Sequence, residues 1–135
     1  MATFTVDVVS AERKLFSGEA TALNFTTTEG SMGILPGHQP LLAALADEGA
    51  SIELTDGTRE HVAVHRGYVY YSGGDTAVIL ADLAELANEI DVEHERKQLL
   101  KFEKMVDGDV EFDLPAILKR TKTRIHVAEK ANGSR

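Results

Sequence analysis

The spacing of apolar residues changes near Asp82, and this change limits the folds that the chain can adopt. Before Asp82, apolar and polar residues alternate over short runs, which is typical of β-strands that bury one face. After it, the apolar spacing follows the helical period, and glutamate, lysine and leucine replace threonine, valine and glycine. The sequence therefore predicts a β-rich body followed by helices.

The β-rich body is predicted to be an antiparallel β-sandwich. Its apolar runs are short, and turn sequences such as Ser17-Gly18 and Asp56-Gly57 separate them. The predicted strands include residues 4–8, 23–26, 52–54, 62–65, 68–71 and 76–81. The last of these, TAVILA, is apolar throughout, so we expect both of its faces to be covered.

The remainder of the chain is predicted to form a helical hairpin. The first helix spans 91–106 and has an apolar face made of Val92, Leu99, Phe102 and Val106, and the Asp-Gly-Asp sequence at 107–109 ends it. The second helix begins after Asp113, a favourable N-cap, with Pro115 in its first turn. Its apolar face comprises Leu114, Ile117, Leu118, Thr121, Ile125 and Ala128. Helices of this length are marginal alone in water, so the hairpin (87–135) must pack on the body (1–86) or on a partner.

Composition excludes several classes of protein. The 135 residues contain no cysteine, which excludes disulfides and zinc–thiolate sites. The sequence has no run of about 18 apolar residues and no charged-then-apolar leader, so we expect a soluble intracellular protein. A net charge of −8 argues against general nucleic-acid binding. Residues 113–135, however, carry six basic and two acidic side chains, which suits an acidic partner or the acidic body of the same chain.

The stretch GSMGILPGHQP, residues 30–40, has the composition of a phosphate-binding or catalytic loop. It contains no lysine and no GxxxxGK[ST] pattern, and the chain has no GxSxG elbow. Its glycines and prolines are predicted instead to shape a rigid surface loop. On one strand, His61 and His65 would lie about 13 Å apart, too far to share a metal ion. We expect no metal site and no catalytic residue.

Three stretches, in this order and at this spacing, resemble the epsilon subunit of bacterial F-type ATP synthases. They are VDVVSAERKLFSGEA (6–20), TTEGSMGILPGHQPLLAAL (27–45) and AVILADLAELANEID (77–91). The tail ILKRTKTRIHVAEK (117–130) resembles the last helix of the same subunit. The similarity covers essentially the whole chain, and it implies the same β-sandwich and helical hairpin that the periodicity predicts.

The resemblance also implies a function. The chain would be a non-catalytic central-stalk subunit that couples the gamma subunit to the c-ring in proton-driven ATP synthesis, peripheral to the cytoplasmic face of a bacterial cell membrane. The implied c-ring contacts are Glu29, Gly30, Ser31 and Met32, and the implied gamma contacts are Ile34, His38 and Leu42. The sandwich would bind the rotor, and the hairpin would be regulatory. Its second helix, with Lys119, Arg120, Lys122 and Arg124, would inhibit ATP hydrolysis by reaching the alpha and beta subunits.

Members of this family that bind ATP at the folded hairpin carry an I-D-x-x-R-A motif. The residues that match their nucleotide site are Glu85, Ile90, Asp91, Arg120 and Arg124. His94 and Glu95, however, take the arginine and alanine positions of the motif. An imidazole beside a carboxylate is a poor substitute for a guanidinium that faces phosphates. We therefore expect that the protein requires no cofactor. The alternative function is a nucleotide-sensing regulatory module that binds ATP at the folded hairpin.

A small hydrolase is a further alternative, with His38 and a nearby carboxylate as its acid–base pair. Four carboxylates, those of Asp82, Glu85, Glu89 and Asp91, cluster where the body meets the hairpin. We interpret them as the solvated start of a helix, where the helix dipole favours negative charge.

Overall fold

The computed structural model describes residues 2–105 and 113–132. The strands are β1 (Phe4–Ser10), β2 (Lys14–Thr27), β3 (Gly30–Ile34), β4 (Leu41–Leu45), β5 (Glu48–Leu54), β6 (Arg59–Tyr71) and β7 (Thr76–Leu86). A short 3₁₀ helix (Ala87–Glu89), α1 (Val92–Glu103) and α2 (Leu114–Ala131) follow. The predicted fold class, a β-sandwich followed by a pair of helices, is confirmed.

The long strands β2 and β6 tie the sandwich together, because each pairs with different strands along its length. β2 pairs first with β1 and then with β3 and β5. β6 pairs first with β5 and then with β4, and β7 runs alongside it. Among the described strands only the β1–β7 pairing is parallel. The chain becomes helical after β7, so β1 rather than a further hairpin strand covers that edge.

Period-two burial in the body follows the sequence pattern. Phe4, Val6 and Val8 are buried while the residues between them are partly exposed. Four successive residues of β6, 62–65, are nevertheless buried. Their outward face is covered because α2 packs there, with Val127 against Ala63.

The glycine-rich stretch is not wholly a loop, and this corrects the sequence interpretation. Gly30–Ile34 forms β3, which pairs with β2 from Thr27 opposite Gly30 to Leu23 opposite Ile34. Only residues 35–40 connect β3 to β4. Gly30 has φ = 134°, a conformation that favours glycine. Two of the five residues of β3 are glycine, so the alternation of apolar and polar side chains that indicates a strand is not visible in the sequence.

Both helix starts are as predicted. The side chain of Asp91 accepts a hydrogen bond from the backbone N–H of His94 at 3.1 Å. In the same way, Asp113 caps α2 through the N–H of Ala116, also at 3.1 Å. α1 ends at Glu103, earlier than predicted, and Val106 and the expected turn at 107–109 lie outside the described residues.

α2 lies between the sandwich and α1. Val127 packs against Ala63 and Ala87, and Thr123 Oγ1 donates to the carbonyl oxygen of Asp47 at 2.9 Å. The predicted apolar face did not include Thr123 and Val127 because the prediction assumed that α2 has one contact surface. In the structure α2 has two, one against the sandwich and one against α1. α1 buries no residue fully and packs mainly on α2. The first helix therefore depends on the second for its position.

Candidate interaction surfaces and the junction network

The tip of the β2–β3 hairpin carries the predicted c-ring contacts. The Thr27 hydroxyl accepts a hydrogen bond from the N–H of Glu29 at 3.1 Å and donates one to the carbonyl oxygen of Gly30 at 2.8 Å. These bonds hold the turn in one shape. Glu29, Gly30 and Ser31 are exposed there, whereas Met32 is half-buried and packs against the core.

The three predicted gamma contacts occupy different environments. Leu42 is 69 % exposed. His38 is half-buried, with its ring centroid 6.4 Å from that of Tyr71 and Nδ1 2.7 Å from the carbonyl oxygen of Gln39. Ile34 is 0 % exposed, so its side chain supports the surface from within the core and is not itself available to a partner. Neither interaction of His38 involves a carboxylate, so the acid–base pair of the hydrolase alternative is not formed.

An apolar surface, which we call the outer-face patch, extends across β4, β6 and β7. It consists of Leu42, Tyr68, Tyr70 and Leu80, which are 69 %, 57 %, 48 % and 50 % exposed. Leu42 lies opposite Tyr70, and Tyr68 lies opposite Leu80, so all four side chains share one face of the sheet. Sequence reasoning found Leu42 alone.

The outer-face patch also corrects the expectation for TAVILA. In β7, Ala77 and Ile79 are buried but Leu80 is half exposed. Only one face of this continuously apolar strand is therefore fully covered within the described chain. On the other face, Thr76 and Val78 are half-buried and Leu80 is half exposed.

A polar cluster joins the sandwich to both helices, and we call it the junction network. Its members are His65 on β6, Glu85 on β7, Glu95 on α1 and Arg124 on α2. Glu85 Oε1 lies 2.8 Å from His65 Nε2, and Glu85 Oε2 lies 2.8 Å from Arg124 Nε. A guanidinium nitrogen of Arg124 lies 3.6 Å from Glu95 Oε1. Glu85 is thus a structural ion-pair partner, and its interpretation as part of a solvated helix start was wrong.

Opposing effects set the charge of Glu85. Burial by itself raises the pKa of the carboxyl, but the hydrogen bonds from His65 and Arg124 and the positive charge of Arg124 outweigh burial. The pKa of Glu85 therefore lies below its usual value. The carboxylate is charged at neutral pH and binds both partners in that form.

Two other carboxylates of the predicted cluster also have structural roles. Glu89 accepts hydrogen bonds from the N–H of Leu86 at 3.0 Å and from the Arg13 guanidinium at 2.7 Å. The hydrogen bond from Arg13 lowers the pKa of Glu89. Asp91 is the N-cap of α1, whereas Asp82 is exposed. Ile90, which was predicted to bind a nucleotide, packs against the apolar cluster formed by Ala63, Ala87 and Val127.

The four residues of α2 that were predicted to form the inhibitory basic face are not equally available. Lys119 lies 3.1 Å from Glu48, and Arg124 belongs to the junction network. Lys122 is exposed. Arg120 is half-buried and lines a cleft of about 310 Å³ between the two helices, together with His94, Gln98 and Arg124. In the folded hairpin, two of the four cations are therefore neutralised by carboxylates of the sandwich.

Residues 2–105 and 113–132, the described part of the chain, contain neither a membrane-spanning helix nor a metal-binding cluster. No helix in these ranges is both long enough and apolar enough to cross a membrane. Within the same ranges, no three histidine, aspartate or glutamate side chains are grouped so that they could hold a metal ion.

Comparison with known sequences decides the family. The family model for the "ATP synthase, Delta/Epsilon chain, beta-sandwich domain" matches residues 3–87. The chain is 42 % identical over 132 residues to the ATP synthase epsilon chain of Rhodococcus jostii (strain RHA1), covering 97 % of this chain and 100 % of the relative. The chain belongs to the ATP synthase epsilon-chain family. A second epsilon chain, from Thermobifida fusca (strain YX), is 40 % identical and covers 93 % of each chain.

Solved structures support the fold of this epsilon-family chain. A chain of the Euglena gracilis mitochondrial ATP synthase OSCP/F1/c-ring structure superposes with a TM-score of 0.73 at 20 % identity, covering 99 % of this chain and 82 % of that one. A chain of the Tetrahymena thermophila central stalk/c-ring structure gives 0.56 at 16 % identity, with 95 % of each chain covered. The curated relatives are named as the epsilon chain, which is an accessory subunit, so this chain is not itself an enzyme.

Proposed function

We propose that this epsilon-family chain is a rotor subunit of the central stalk that connects the gamma subunit to the c-ring. In this proposal the sandwich docks on gamma through the outer-face patch, and the β2–β3 tip faces the c-ring. The complex would lie at the cytoplasmic face of a bacterial membrane and serve proton-driven ATP synthesis.

The outer-face patch is the single observation that carries the gamma contact. Soluble monomers rarely expose contiguous apolar surface of this kind, and tyrosine is enriched at protein interfaces. β7 has the composition of a strand covered on both faces, yet only one face is fully covered within the described chain. A gamma subunit seated on Leu80, Tyr68 and Tyr70 would supply the missing cover.

Co-purification with the cognate gamma subunit tests this proposal. We expect a 1:1 complex with the wild-type chain and a loss of at least about tenfold in affinity for Leu42→Ser combined with Tyr70→Ser, because buried apolar anchors dominate interface energetics. Leu100→Ser is the matched control, since Leu100 is also exposed, at 61 %, but lies on α1. Equal gamma affinity of both variants would exclude the patch as the docking surface.

The β2–β3 tip suits a contact with short polar loops. Glu29 and Ser31 are exposed on a turn that the Thr27 hydroxyl bonds hold in one shape. Glu29 is the nearest acidic side chain to the tip, so it is the expected ionic partner. Glu29→Lys should weaken assembly with an isolated c-ring, measured by co-sedimentation with c-ring liposomes. Unchanged sedimentation would contradict the assignment.

The basic helix α2 is proposed to inhibit ATP hydrolysis when it leaves the sandwich. Leaving would release Lys119 and Arg124 from Glu48 and Glu85, and these cations would then face the acidic loops expected on the catalytic subunits. Deletion of residues 113–135 should raise ATP hydrolysis by the assembled enzyme. Unchanged hydrolysis would exclude an inhibitory role.

The cleft between the helices supports ATP binding as a second candidate function. It has a volume of about 310 Å³, and Arg120 lines it beside Thr121. Competing with this role, Glu95 and Glu85 already neutralise Arg124. Titration of the isolated chain with magnesium-free ATP, with Arg120→Gln as control, tests it. Micromolar affinity that R120Q abolishes would establish a nucleotide sensor, and an absence of heat would exclude one.

A further inference from the structure

Glu85 is the only carboxylate in the described chain that contacts side chains of both the sandwich and α2 at hydrogen-bond distance. Each of its oxygens has one partner, His65 Nε2 or Arg124 Nε, and both distances are 2.8 Å. The side chains of Glu85 and Arg124 are each only 22 % exposed. Because solvent screens such a pair less than a surface ion pair and removal of one partner leaves the other half-buried, breaking this contact should cost more than breaking the exposed Lys119–Glu48 pair.

His65 fixes the orientation of the Glu85 carboxylate. The imidazole is 2 % exposed, and its Nδ1 is buried without a hydrogen-bond partner among the described residues. Because the Glu85 carboxylate can only accept, Nε2 is the ring nitrogen that donates in this hydrogen bond and carries a proton. That proton points at Glu85 Oε1. The other oxygen is then left to receive Arg124.

Arg124 extends the connection to the first helix. It lies 3.6 Å from Glu95 on α1, whose side chain is 15 % exposed. α1 buries no residue fully and packs mainly on α2. Loss of the Glu85–Arg124 contact would therefore loosen both helices from the sandwich.

The geometry points to Glu85 as a latch, whose carboxylate, oriented by His65, holds the hairpin against the sandwich through Arg124. The latch is a property of the free chain and does not depend on gamma, on the c-ring or on inhibition. Its failure and that of the proposed function are therefore distinguishable.

Distance measurements on the full-length chain test the latch. Because the chain has no cysteine, Thr55→Cys and Ala131→Cys introduce unique positions for spin labels on the sandwich and on α2. In this background, Glu85→Gln keeps the shape of the side chain but removes its charge. We expect the ratio of open to closed hairpin to rise at least about tenfold, the effect of losing a charge-assisted hydrogen bond.

Glu93→Gln is the matched control. Glu93 pairs at 2.6 Å with Arg96 of the same helix and makes no ion pair with the sandwich. The E93Q distances should equal those of the wild type. Equal distances in E85Q and wild type would overturn the latch.

Two further variants keep the test decisive. If E85Q unfolds the sandwich, Arg124→Gln replaces it, because glutamine removes the positive charge from the other side of the same contact. A closed hairpin in R124Q would also overturn the proposal. His65→Gln should open the hairpin in the wild type but add nothing in the E85Q background. Additive opening would remove His65 from the latch as a positioning residue.

Discussion

Gly49 on β5 and Val127 on α2 approach so closely that a Cβ atom on Gly49 would lie 2.7 Å from Cγ2 of Val127. This approach lies in the contact between α2 and β5. Val127 also packs on Ala63 and Ala87, which are small side chains. The interface between α2 and the body is therefore shallow, and its stability depends on small residues and polar contacts.

The close approach predicts a specific effect of Gly49→Ala. Valine is stiff about χ1, so the helix must move to admit the new methyl group, and docking should weaken by about 1–3 kcal/mol. Thermal unfolding and the labelled distance between Thr55→Cys and Ala131→Cys would measure it. Adding Val127→Ala removes the clash, so the double variant should dock better than G49A alone. Additive losses would contradict this account.

The hairpin should detach at acidic pH through Glu85. Its pKa lies below the ordinary value of 4.5 partly because Arg124 faces it, so the part of the stabilisation that Arg124 supplies is fully present above that value. The contribution is lost as the pH falls through the folded pKa. The groups facing Glu85 are His65 on β6, Arg124 on α2 and, through Arg124, Glu95 on α1.

Comparison of the wild type with E85Q at each pH measures this contribution, because only the wild type has a carboxylate to protonate at position 85. The difference in docking, read from the labelled distance, should be largest at neutral pH and should vanish in acid. A difference that stays constant from pH 7 to acid would show that Glu85 does not titrate in the latch.

Gly67→Ala should destabilise the sandwich itself. A Cβ atom at Gly67 would lie 2.2 Å from the carbonyl oxygen of Leu80, and this backbone cannot move without disturbing the β6–β7 pairing. We expect a loss of about 3 kcal/mol or more in the free energy of unfolding, measured in urea. Gly74→Ala is the control, because its nearest neighbour is Ser72 Oγ at 3.6 Å. Equal stability of the two variants would show that β6 and β7 adjust freely.

Removal of the N-cap of α2 should act on the hairpin alone. Asp113→Ala leaves the N–H of Ala116 without its acceptor and should cost about 1 kcal/mol. Hydrogen exchange of the first turn of α2 should accelerate while that of β6 stays unchanged. Asp113→Ser, which can still cap the helix, should behave like the wild type. A similar acceleration in both variants would exclude capping as the cause.

Short-range sequence patterns predicted many of the strands and helices but not how these elements pack on one another. The alternation at Phe4 to Val8 and the N-cap at Asp113 depend on neighbours in sequence, and both are confirmed. β3 was missed because its glycines mask the period. The second face of α2 was missed because Thr123 contacts Asp47 and Val127 contacts Ala63, both more than fifty residues away in sequence.

The sequence by itself determined the family, the order of a β-rich body followed by two helices and the charged face of the second helix, because these follow from residue order and short-range spacing. The tertiary structure alone decided that Tyr68, Tyr70 and Leu80 form one exposed patch with Leu42, since strand register brings them together. The tertiary structure also decided which of the four junction carboxylates contacts His65 and Arg124, and it is Glu85. Those contacts join residues 20 and 39 positions apart, a separation that no local pattern encodes.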